Sequence, residues 1–117
     1  MAFRFGNNVV RIEIEDMIFR VVISDELSAK ILLAKETNAK LQQEFKDVPE
    51  NVRERNAVAA YDKLIDDILG EGSSEKIFCG REPDGVERIA VFIYICSEIN
   101  DHIKKIKSGR PAVYDAD

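Results

Sequence analysis

The chain has 117 residues, 17 of them basic and 22 acidic, giving a net charge of −5 at neutral pH, and 45% of its residues are hydrophobic. A chain of this length forms one domain that buries roughly two thirds of its unfolded surface, a core that needs no metal or disulfide. The negative charge opposes adhesion to phosphate backbones and anionic membranes, so neither nucleic acid nor membrane is expected as a partner.

Val9 to Glu15 reads VVRIEIE. Val10, Ile12 and Ile14 alternate with Arg11, Glu13 and Glu15, the period of a half-buried strand. Met17 to Ile23, MIFRVVI, is rich in β-branched and aromatic residues and predicts a second strand. Two strands this close must be antiparallel, joined by a tight turn at Glu15 and Asp16 whose type stays open. Ser24 and Asp25 supply N-cap chemistry, and Asp25 and Glu26 place negative charge where the helix dipole favours it. Leu27, Ile31, Ala34, Leu41 and Phe45 then mark one stripe of a helix from Asp25 to Lys46. Asp47-Val48-Pro49 ends it, because the residue before proline is pushed out of helical geometry.

A second helix starts near Glu50 or Asn51 and runs to Leu69, with Val58, Tyr61, Leu64, Ile65, Ile68 and Leu69 inward and Gly70 as its stop. After a bend at Glu71-Gly72, Ser73 or Ser74 caps a single turn ending near Cys79, with Ile77 and Phe78 inward. IAVFIYIC, residues 89–96, passes for a buried strand by composition. However, Ile89, Phe92, Ile93, Cys96, Ile99, Ile103 and Ile106 keep helical spacing for about five turns. Val86 to Lys107 is therefore read as a third long helix, with Lys104, Lys105 and Lys107 near its end and Ser108-Gly109 closing it. The sum is an α+β, mostly α fold: an N-terminal β-hairpin followed by three main helices and a short helical turn. Residues 1–107 form one domain and residues 108–117 a flexible tail.

Chemistry is sparse. Asp62, Asp66 and Asp67, with Glu98 and Asp101, could in principle hold a divalent cation, as in helical nucleotide pyrophosphohydrolases. The upstream half lacks the run of glutamates such a site needs, so charged helix flanks are the simpler reading. Cys96 and His102 stand about 240° apart on a helix and do not make a nucleophile and base. Cys79 and Cys96 form no CxxC pair, and His102 is the single histidine, so both are expected as reduced thiols in the cytoplasm. Gly70, Gly72, Gly80 and Gly85 fit no phosphate-binding loop. No apolar run approaches the ~20 residues of a membrane span, and the start MAFRFGNN lacks a signal peptide's apolar segment. No catalytic, metal or cofactor residue is assigned. What remains is interaction: the hairpin offers edges another chain could extend. Phe3, Phe5, Val9 and Phe19 are the candidate partner-binding residues, the alternative for the two leading phenylalanines being to fold back on the domain's own helices.

The hairpin, the long helix, the helix ending LIDDILG at residues 64–70, the turn EGSS, then Lys76-Ile77-Phe78 and an isoleucine-rich last helix resemble the tail assembly chaperones of long-tailed phages and prophages of Gram-positive bacteria. The resemblance spans about Val9 to Lys107 and is strongest between Tyr61 and Ile99. It implies a non-enzymatic protein in the cytoplasm of a bacterial host that coats the tape measure protein, helps recruit tail tube subunits, and forms a homo-oligomer. That family carries no catalytic motif, so no residue inherits a role from it.

Overall fold

The structure is a computed structural model that describes residues 9–116, with the side chains described for residues 9–105. Phe3 and Phe5 lie outside the described residues. The fold is α+β and mostly helical: β1 (Val9–Ile14), β2 (Met17–Val22), α1 (Asp25–Glu44), a 3₁₀ turn (Phe45–Asp47), α2 (Glu50–Leu69), α3 (Ser73–Ile77) and α4 (Gly85–Ala116). Among the described residues, no helix is long and apolar enough to cross a membrane.

β1 and β2 form a two-stranded antiparallel sheet, with Ile14 opposite Met17 and Val9 opposite Val22. Only Glu15 and Asp16 separate the strands. Glu15 takes a φ of 56° at the first central position, the placement of positive φ that distinguishes a type II′ turn. Val10, Ile12 and Val21 are buried, and Ile14, Met17 and Phe19 pack against the same core. The helices that cover this inner face are α4, against β1, and α2, against β2. The hairpin therefore finds on its own helices the apolar cover that an isolated pair of strands needs.

α1 begins as the sequence indicates: the Leu27 amide donates a 3.0 Å hydrogen bond to Ser24 Oγ. Its stripe Leu27, Ile31 and Ala34 is buried. α2 starts at Glu50, directly after Pro49, and stops at Gly70, whose φ of 116° is open chiefly to glycine. Its inward face is Ala57, Tyr61, Leu64, Ile65 and Ile68.

Three expectations are corrected. Neither Ser73 nor Ser74 caps α3 with its side chain: Gly72 occupies the N-cap position, and Asp66 Oδ1 on α2 accepts a 2.8 Å hydrogen bond from the Ser74 amide. On α4 the inward residues are Phe92, Ile95, Cys96 and Ile99, while Ile93 is 53% exposed. The run 89–96 is apolar at every position, so its composition does not define the phase of the buried face. Finally, α4 does not close at Ser108-Gly109 but runs to Ala116. Glycine costs a helix interior only about 1 kcal/mol relative to alanine, a penalty rather than a stop. The Lys104, Lys105 and Lys107 cluster thus lies within the helix, and its last turn carries no basic residue.

Candidate functional site

The most concentrated polar chemistry lies where α2, α3 and α4 meet, around Arg88. Asp84 starts α4, its Oδ1 accepting from the Val86 and Glu87 amides at 3.0 and 3.3 Å. Glu54 on α2 accepts from the Gly85 amide. Glycine suits position 85 because a Cβ there would stand 3.0 Å from the Ala57 Cβ, tighter than most packed contacts.

With the helix start fixed, Arg88 points inward and is buried. Its Nε lies 3.3 Å from Asp62 Oδ1, its Nη1 donates to the Glu82 carbonyl at 3.3 Å, and its guanidinium sits 3.7 Å from the Phe78 ring centroid. Glu87 adds a second carboxylate 3.6 Å from Nη1. That same Glu87 is held by Arg81 through two hydrogen bonds of 2.8 and 2.6 Å, which keep its carboxyl below the usual range. Burial pushes the Asp62 carboxyl up, opposed by the Arg88 charge and hydrogen bond. An open depression of about 660 Å³ adjoins this cluster, lined in part by Asp62, Lys76, Phe78, Cys79 and Arg88.

The charges of this cluster are spent on one another. Of the acidic residues that the sequence offers as a cation site, Asp62 pairs with Arg88 and Asp66 caps α3. Asp67 and Asp101 are exposed, and Glu98 is half-buried on α4. Among the described residues, no group of three or more histidine, cysteine, aspartate or glutamate side chains is placed to hold a metal ion. Cys96 is buried and its thiol is pushed up to about 11, chiefly by desolvation, while Cys79 is exposed.

A second polar network, which the helical pattern does not reveal, ties α1 to α2. The Tyr61 hydroxyl donates to Asn38 Oδ1 and accepts from Gln42 Nε2 at 3.3 Å. Its ring meets Phe92 edge-on with centroids 5.6 Å apart. In sequence Tyr61 counts as one more apolar position; the pairing of Asn38 and Gln42 at i and i+4 on α1 is the only trace of its polar end.

Apolar surface is more generous. A groove of about 460 Å³ between α1 and α2 is lined by Leu33, Ala34, Thr37, Leu41, Ala60 and Leu64, with Lys30, Lys63 and Asp67. Leu32 and Leu33 are 61% and 63% exposed. Ile18, Val22, Val86, Ile93 and Tyr94 are exposed as well. Of the candidate partner-binding residues, Val9 is half-buried opposite Val22 on the outer face of the hairpin. Phe19 faces inward and packs on the core.

Residues 11–114 match a family of unknown function, DUF6673. The chain belongs to that family. The match begins within β1 and ends within α4, so it takes in most of the hairpin and all of the helices between. No curated protein and no solved structure matches the chain.

Proposed function

We propose that this DUF6673 member is a non-enzymatic tail assembly chaperone of a long-tailed phage or prophage, which coats the tape measure protein, helps recruit tail tube subunits and self-associates while doing so. The observation that carries the reading is a division of labour between surfaces. Among the described residues, Arg88, Asp62, Glu87 and Arg81 are paired within the fold, whereas seven large apolar side chains and the α1–α2 groove face outward. Exposed apolar patches rimmed by polar residues are the mark of an interaction protein. A groove between two helices suits the apolar stripe of a third. The resemblance of residues 9–107 to such chaperones supplies the partner, a long helical protein.

Co-expression with a tape measure protein tests this. The expected result is a soluble complex that co-elutes, and a gene placed between those of the major tail protein and the tape measure protein. A chain that elutes alone and leaves the solubility of the partner unchanged counts against the reading.

A further inference from the structure

The hairpin has two free edges, and they differ. Ile14 and Met17 flank a two-residue turn and so exchange backbone hydrogen bonds. Every second residue, Glu13 and Arg11 on one strand and Ile18 and Arg20 on the other, therefore turns its N–H and C=O away from the partner strand. On the β1 edge this outward carbonyl is taken: the Tyr94 hydroxyl of α4 donates to the Glu13 carbonyl at 2.8 Å. The β2 edge at Ile18 and Arg20 has no such cover among the described residues. It also lacks a proline or bulge, and Arg20 is the one charged side chain that blunts it.

The side chains of this edge are left incomplete in the same place. Arg20 stands directly opposite Arg11, and like charges facing across a sheet are destabilising. Arg11 has Glu13 at 3.6 Å. Arg20 and Asp16 make no ion pair among the described residues. Between them Ile18 is 45% exposed. On its outer face β2 carries Ile18 and Val22, both exposed, on either side of Arg20.

We propose that a second copy of this chain adds to the β2 edge, antiparallel, with Ile18 facing Ile18 of the second copy on a two-fold axis. In this register Met17 to Phe19 form the ladder, and Arg20 comes beside the turn residue Asp16 of the second copy, and Asp16 beside its Arg20, so each unpaired charge gains a counter-charge. Met17 meets Phe19 of the second copy on the inner face. The neighbouring registers fail: centring on Phe19 sets Arg20 against Ile18 and Asp16 against Val22, and centring on Arg20 sets two guanidinium groups against each other. The product is a four-stranded sheet with β1 on both outer edges, each carrying its Tyr94 hydrogen bond. The inference rests on the self-association included in the proposed function and gives it a surface.

Sedimentation velocity of the full chain from micromolar to hundreds of micromolar, with folding of each variant checked by circular dichroism, tests the register. Wild type is expected as a monomer–dimer equilibrium. Arg20→Asp and Asp16→Arg each weaken it at least about tenfold, and the double exchange Asp16→Arg/Arg20→Asp restores it to within a few-fold, since opposite charges again face each other. Directly opposed Cα atoms about 5.5 Å apart suit a disulfide. Ile18→Cys in a Cys79→Ser background should therefore cross-link into dimers on mild oxidation, while Leu32→Cys in that background should not. If the single charge variants associate as tightly as wild type and Ile18→Cys stays uncrosslinked, the register is overturned while self-association through another surface stands. If wild type is monomeric throughout and nothing cross-links, self-association falls as well, and co-elution with the tape measure protein decides separately on the chaperone reading.

Discussion

The guanidinium of Arg88 lies 3.7 Å from the centre of the Phe78 ring, so a buried cation on α4 is covered by the aromatic residue that ends α3. Asp62 supplies its counter-charge from α2. Three segments thereby share one side chain, and removing it should be felt by all of them. Arg88→Ala is expected to lower stability by about 3 kcal/mol, the low end for breaking a buried pair because Asp62 retains some access to water. Arg88→Met should recover part of that loss, since its thioether still packs on Phe78. Urea denaturation followed by circular dichroism checks both values.

Gly85 tests how closely α4 approaches α2. A methyl group there meets Ala57 at 3.0 Å, and both Cβ atoms are fixed to helical backbone, so neither can swing aside. Gly85→Ala should cost about 1 kcal/mol despite alanine's better helix propensity. The pair Gly85→Ala/Ala57→Gly should show less than the sum of the single losses, because the clash disappears. The urea midpoints of the three variants give the coupling.

The phase of α4 offers a sharp contrast between neighbours two residues apart. Ile95 is fully buried and Ile93 is 53% exposed. Ile95→Ala is therefore expected to cost about 3 kcal/mol as a core cavity, and Ile93→Ala less than about 1 kcal/mol as a surface change.

That contrast also marks what the sequence can and cannot tell. Alternation from Val10 to Ile14 defines a face because Arg11 and Glu13 fill the gaps, and the three-and-four spacing of Leu27, Ile31 and Ala34 defines one on α1 even though Leu32 and Leu33 lie in its gaps. The hairpin, α1, α2 and the Gly70 stop are legible for that reason. IAVFIYIC has no gaps, so helix length can be read there but not rotation. Arg88 is invisible for a different reason: arginine is ordinarily a surface residue, and its burial depends on Asp62, 26 positions away, and on Phe78. The second role of Asp66 is hidden likewise, since a cap eight residues along the chain follows from how two helices meet.

Glu15 holds a positive φ of 56° that a residue with a Cβ adopts at a cost of about 1 kcal/mol. Glu15→Gly should therefore raise the thermal midpoint by a few degrees, provided the turn keeps its two-residue length. A fall in the midpoint would mean that the glutamate side chain stabilises the hairpin by more than its backbone strain costs.

The thiols should separate by reactivity. Cys79 is exposed and Cys96 buried, so Ellman's reagent at pH 8 should titrate one thiol promptly and the second only after unfolding. The pH dependence has a definite sign. Cys96 is raised in the folded state from 9.0 to about 11, so its contribution is fully present below pH 9 and is lost as pH rises from there to about 11, where the unfolded chain ionises first. Cys96→Ala should flatten stability over that window and leave the slope below pH 9 unchanged.

The carboxylates of α2 have a consequence for the order of assembly. Asp66 receives the Ser74 amide at the start of α3, and Glu54 receives the Gly85 amide at the start of α4. Both later helices thus have a first turn bonded to α2, and a first turn is the unfavourable step of helix formation. α2 serves as a template that sets where its successors begin. A fragment ending at Gly70 would keep the template with nothing to organise, and one beginning at Ser73 would lose the carboxylates that set its helix starts, so the halves should regain structure only when mixed.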